Sequence, residues 1–142
     1  MRFESSTEVN ASPETIWRAI NNPEEWPLWV PSLKKVERVT PGSLGVGTQL
    51  RIRVRAAVAV TWRMTITEFV PGQRVVMQGS VLGTRLVRYY ALEPTGQTTR
   101  LVAGGEASGL LACLVSRFGQ ALSDDIVKVL KRRVEEARPP EA

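Results

Sequence analysis

The sequence predicts an α+β domain in which an antiparallel sheet of about six to seven strands packs against one long C-terminal helix, and three patterns predict it. First, Leu111, Val115, Phe118, Leu122, Ile126 and Val129 recur at alternating three- and four-residue steps, one apolar stripe at the helical period. Second, apolar residues between Leu33 and Ala107 recur at every other position, the period of half-buried strands. Third, short stretches rich in Gly and Pro separate these runs at hairpin lengths. Each large apolar side chain buried by the helix contributes about 1.5–3 kcal/mol, so the stripe needs an apolar partner. The sheet offers one, and together they suggest a container.

The elements follow in order. Phe3 to Val9 alternates weakly and reads as a first strand. Ser12 is a helix cap, Pro13 suits the first helical position and Glu14 complements the helix dipole, with Ile16, Trp17 and Ile20 as the apolar face. Asn21-Asn22-Pro23 stops that helix. A second short one starts at Pro23-Glu24-Glu25-Trp26 and is kept short by Pro27 and Pro31. Leu33 to Thr40 is a strand, and the glycines of Pro41 to Gly47 form an ordinary turn. A phosphate-cradling loop would need a helix after it. Leu50, Ile52 and Val54 then alternate with Arg51, Arg53 and Arg55, and Val58, Val60, Trp62, Met64 and Ile66 continue the inner face after Ala56-Ala57. Val70-Pro71-Gly72-Gln73 is a tight turn. Val75, Met77, Gly79 and Val81 face inward, Leu82-Gly83-Thr84 turns the chain, and Leu86, Arg88, Tyr90 and Leu92 share the inner face of the next strand. After the turn at Glu93 to Gln97, the small residues Ala103, Gly105 and Ala107 follow Leu101 inward, as suits a strand crossed closely by a helix. The helix is expected at about 109–138, its opposite side polar with Arg117, Gln120, Asp124, Lys128, Lys131 and Glu135, and Arg138-Pro139-Pro140 ends it.

Composition narrows the chemistry. A length of 142 residues fits one domain, 1–142. The start carries no basic-then-apolar signal pattern and no run approaches the ~18 apolar residues of a membrane span, so a cytoplasmic protein is expected. The lone Cys113 suits a reducing compartment. Histidine is absent, which excludes triads with a histidine base and sites with histidine ligands; no metal and no cofactor are expected. From Thr48 to Ser108 there are eight arginines, no lysine and three acids, so the net charge of +5 resides there. No nucleic-acid role is expected from it.

The order of elements resembles the helix-grip fold of the START and pollen-allergen superfamily, and more closely its polyketide cyclase/dehydrase family. The segments that carry the resemblance are Val9 to Trp17, Asn22 to Trp29, Val46-Gly47-Thr48, Val70-Pro71-Gly72, Leu92-Glu93-Pro94 and Thr99-Arg100-Leu101. They cover nearly the whole chain and consist of caps, turns and packing residues. The resemblance implies a curved sheet wrapped around the long helix, and a cavity between them for a small hydrophobic or amphipathic molecule. It implies no universal catalytic set.

Within that frame Trp62, Met64, Met77, Leu86, Arg88, Tyr90 and Phe118 are the expected cavity lining, with Trp29 at the mouth. Arg88 is the one charged residue on the inner faces, and an arginine that cannot shed its charge needs an anion. That anion is either an acid of the protein, Glu106 or Asp125, or an acidic group of the ligand. Tyr90 on the same face has a hydroxyl able to position a proton, so Arg88 and Tyr90 are the candidate catalytic pair: in an enzyme, Arg88 would stabilise a developing enolate. Tyr89 is expected outside and Cys113 as an ordinary small helix residue. The alternative from another class is an interaction module whose outer arginines, Arg51, Arg53, Arg55, Arg63 and Arg74, meet an acidic protein or an anionic membrane. The oligomeric state has no sequence signal.

Overall fold

A computed structural model describes residues 1–55 and 60–136 of the chain. The elements run β1 (Arg2–Val9), α1 (Pro13–Ile20), a 3-10 turn (Pro23–Glu25), α2 (Trp26–Trp29), β2 (Leu33–Arg38), β3 (Gln49–Val54), β4 (Val60–Val70), β5 (Arg74–Val81), β6 (Thr84–Thr95), β7 (Thr98–Gly109) and α3 (Ala112–Glu136). The strands form one antiparallel sheet in the order β1-β7-β6-β5-β4-β3-β2, curled as a half-barrel around α3. This is the helix-grip arrangement.

Local chemistry accounts for the joints. Ser12 Oγ accepts the Thr15 N–H at 3.4 Å and caps α1, with Pro13 in the first turn. Gln73 N–H donates to Val70 O at 2.9 Å, and Gly72 takes φ +76°, so Pro71-Gly72 makes a turn that needs glycine at its third position. Leu82 and Gly83 both take positive φ, 51° and 74°, as a two-residue hairpin between antiparallel strands demands. Leu82 is the one non-glycine there among the described residues. The sequence places the turn after β6 over five residues, but the strands pair from Thr84↔Gly109 through to Thr95↔Thr98, leaving two. The Ala56-Ala57 joint, with Val58 and Ala59, lies outside the described residues, as do the last residues of the expected helix and its proline tail.

Alternation along the strands translates into burial. Leu50, Ile52, Val54, Trp62, Met64, Ile66, Val75, Met77, Leu86, Tyr90, Leu92, Leu101, Ala103 and Ala107 are all buried on the inner face. The helix differs from its expected stripe at two places. It begins at Ala112, because Gly109 takes φ +104° and Leu111 N–H is held by Thr84 Oγ1 at 2.8 Å, which keeps residues 109–111 in the turn. Its buried residues are Ser116, Gly119, Leu122, Ser123, Ile126, Val127, Leu130 and Val134, while Val115, Phe118 and Val129 of the expected stripe are only half-buried. The small residues lie where α3 approaches β1 most closely: a Cβ at Gly119 would stand 2.5 Å from Cζ of Phe3.

Polar contacts clamp the far half of α3. Lys131 Nζ donates to Glu8 O at 2.6 Å and to Glu135 Oε2 at 2.7 Å. The Glu8 carboxylate accepts from Thr98 Oγ1 at 2.6 Å and Thr95 Oγ1 at 3.0 Å, tying β1 to the β6–β7 turn. These hydroxyls hold the Glu8 pKa below its ordinary 4.5, and Lys131 does the same for Glu135. A pKa lowered by folding contributes stability that is present above the unfolded value and lost as pH falls through the folded one. The melting temperature is therefore expected to drop as pH falls below the ordinary 4.5, and to drop less in Glu8→Gln. Equal acid slopes in the two proteins, measured by thermal denaturation, would contradict this role for Glu8.

Candidate functional site

The inner face of the sheet does not close fully on α3. Between them lies a cavity of about 410 Å³, within the ~300–1,000 Å³ usual for small-molecule sites. The β-sheet wall includes Ile52, Trp62, Met64, Met77, Leu86, Arg88 and Tyr90, and the opposite wall is Leu111 with Leu114, Val115, Phe118, Leu122 and Ile126 of α3. Among the described residues no acid lines the cavity, and Arg88 is the one charged side chain that does. The inner-face alternation of β3 to β6 thus delivers one wall and the apolar stripe of α3 the other. Of the residues expected to line a cavity, Trp62, Met64, Met77, Leu86, Arg88, Tyr90 and Phe118 do so together.

Trp29 is not among the residues lining this cavity. It is half-buried and lines an adjoining crevice of about 10 Å³ with Ile20, Val30 and Leu130, a crevice that shares Trp26, Leu33, Tyr90 and Ile126 with the cavity. Trp26, one turn earlier, faces the cavity instead, its indole N–H donating to Ile20 O at 3.2 Å and its ring 6.1 Å from that of Tyr90. Three residues apart on the single-turn α2, Trp26 and Trp29 share its core-facing side, Trp26 buried and Trp29 half-buried against the core. Opposite this end, Leu82 and Leu114 line the cavity while being 73% and 66% exposed, so the opening lies between the β5–β6 turn and the first turn of α3.

Arg88 is buried, with 6% of its surface exposed. Nη2 donates to Ser123 Oγ at 3.2 Å, and that hydroxyl is in turn committed to Gly119 O at 2.7 Å. Nε is buried without a hydrogen-bond partner among the described residues. The guanidinium carbon lies 5.7 Å from the Phe3 ring centre and 5.5 Å from that of Tyr90. Room for this stack comes from β7, where Gly105 pairs with both Phe3 and Arg88 and has no side chain to intervene. Neither Glu106 nor Asp125 forms an ion pair with Arg88; both are exposed.

Tyr90 is buried beside Arg88, and its hydroxyl makes no protein hydrogen bond among the described residues. Tyr89 points to the outer face, where its hydroxyl donates to Glu4 Oε2 at 2.6 Å; partial burial and that carboxylate push its pKa up. Cys113 is exposed and unbonded to sulfur. Among the outer arginines, Arg51 and Arg63 are cross-strand partners on β3 and β4. Arg51 lies 3.8 Å from Glu37 and Arg74 3.7 Å from Glu68, whereas Arg53, Arg55 and Arg63 are exposed. No described helix is long and apolar enough to cross a membrane. Ser123, Gly119, Phe3 and Trp26 complete the site and had no signal of their own in the sequence beyond ordinary helix, strand and core patterns.

Residues 1–137 match the family model described as polyketide cyclase / dehydrase and lipid transport. Among solved structures, the Zhui aromatase/cyclase from Streptomyces sp. R1128 is similar with a TM-score of 0.84 at 13% identity, covering 96% of this chain and 94% of that one. A START superfamily protein from Mycobacterium smegmatis is similar with a TM-score of 0.81 at 19% identity, covering 96% and 99%. TTHA0849 from Thermus thermophilus is similar with a TM-score of 0.81 at 20% identity, covering 98% and 100%. Identities this low bear on the fold alone. A search of curated proteins finds no match.

Proposed function

We propose that this chain, which belongs to the polyketide cyclase / dehydrase and lipid transport family, binds a small hydrophobic or amphipathic molecule in the cavity between the sheet and α3. The observation that carries this reading is the cavity itself: about 410 Å³, walled almost wholly by apolar side chains, with an opening at Leu82 and Leu114. A void of that size lined by tryptophan, methionine and phenylalanine forfeits the contacts a packed core would make, and an apolar ligand restores them. Trp62 and Met64 offer flat and adaptable surfaces to an aromatic or extended ligand. The work is assigned to the cytoplasm, which suits the exposed free thiol of Cys113.

The test is native mass spectrometry of freshly purified protein beside the denatured sample, followed by titration with the neutral fluorophore phenylnaphthylamine. A co-purifying small molecule, or saturable fluorescence gain at one site per chain, is the expected result. Protein that arrives empty and takes up no fluorophore would overturn the reading. The neighbouring Arg88 and Tyr90 favour turnover as a second reading, in which Arg88 holds a developing enolate and Tyr90 positions a proton. There, Tyr90→Phe would lower the rate of ring closure of a linear poly-ketone while leaving its binding unchanged.

A further inference from the structure

Resting on the cavity reading above, we propose that the natural ligand is a monoanionic amphipath, an apolar body with one carboxylate, which enters head first and places that carboxylate on Arg88. The guanidinium stays protonated at any accessible pH, so burial leaves Arg88 with a full charge at 6% exposure. What surrounds it among the described residues is neutral. Ser123 accepts one N–H, and the Phe3 and Tyr90 rings flank the cation at 5.7 and 5.5 Å. Ring contacts of this kind offset only part of what it costs to take an ion out of water. The unmatched Nε–H marks the remaining deficit. A carboxylate meeting the cavity side of the guanidinium supplies the missing counter-charge through a charge-assisted hydrogen bond.

The charge state and the direction of entry follow from the same geometry. One cation with no acid in the lining neutralises one negative charge; a dianionic phosphate monoester would carry an uncompensated charge into an apolar cavity. Ser123, which holds Arg88, lies nine residues along α3 from Leu114 at the opening, about 13 Å at 1.5 Å per residue. The anion site is therefore well inside the cavity, with the apolar body between it and the mouth.

The experiment is displacement of phenylnaphthylamine from the intact protein by decanoate, decanol and decyl phosphate. At neutral pH decanoate is expected to displace the fluorophore at a concentration about ten- to a hundredfold lower than decanol, the gain of a charge-assisted hydrogen-bonded pair, and lower than decyl phosphate. In Arg88→Met the acid should lose its advantage while decanol keeps its affinity. The melting temperature of ligand-free Arg88→Met should equal or exceed that of wild type, since an apolar replacement removes an unpaired buried charge. Fluorophore uptake with equal displacement by acid and alcohol would overturn the anion site and leave the cavity reading intact. No fluorophore uptake at all would overturn both. Tighter displacement by decyl phosphate would reassign the site to phosphate monoesters and overturn the carboxylate. If Arg88→Met fails to fold, Arg88 is structural and the proposal falls, unless the wild-type preference for decanoate over decanol is present and disappears when the acid is protonated at low pH.

Discussion

Phe3→Ala is expected to lower stability by about 3–5 kcal/mol, the cost of removing a buried aromatic ring. With about 4 °C lost per kcal/mol for a chain of this length, the melting temperature should fall by roughly 10–20 °C. The ring is 4% exposed and sits between the sheet and α3. A Cβ at Gly105 would lie 2.8 Å from its Cζ, and a Cβ at Gly119 would lie 2.5 Å from the same atom. Both glycines are therefore spaces that the ring occupies. Gly119→Ala should cost about 1–3 kcal/mol in the wild-type protein by overpacking. It should cost clearly less in Phe3→Ala, where the ring is gone. Additive losses in that double-mutant cycle, read by chemical denaturation, would mean that the ring does not set the distance between β1 and α3.

The second large effect is on binding. Leu86→Trp together with Val115→Trp puts an indole on each wall of the cavity, one from β6 and one from α3. If the two rings displace about 100 Å² of buried ligand surface, affinity falls by about 2.5 kcal/mol at ~25 cal/mol per Å², nearly a hundredfold. Stability should hold or rise, because the new rings fill space that no described side chain fills in the wild type. Titration with phenylnaphthylamine and a melt of the same samples give both readouts. A doubly substituted protein that binds as the wild type does would place the fluorophore somewhere other than the cavity.

How far the sequence leads depends on the range of the interaction. The inner face from Leu50 to Ala107 is legible because strand alternation is local and every second residue answers to the same core. Leu111, Val115, Phe118, Leu122 and Ile126 are legible for the same reason at the helical period, and they meet in one cavity wall. The burial of Ser116, Gly119 and Ser123 is not, since it depends on how closely Phe3, over a hundred residues earlier, lets the helix approach. The exchange of Trp29 for Trp26 has a similar cause: a single helical turn is too short to show a period. Arg88 is visible as the odd charge on an apolar face. That Glu106 and Asp125 stay away from it is a property of the assembled sheet and helix, and no local pattern carries it.

The most direct test of ligand binding between sheet and helix is a crystal structure of the protein grown with phenylnaphthylamine. Density for the naphthyl ring is expected inside the cavity, against Trp62, Met64 and Phe118, with the opening at Leu82 and Leu114. A cavity closed by inward movement of α3, or fluorophore ordered only against the outer arginines Arg53, Arg55 and Arg63, would contradict it and turn attention to the outer face of the sheet.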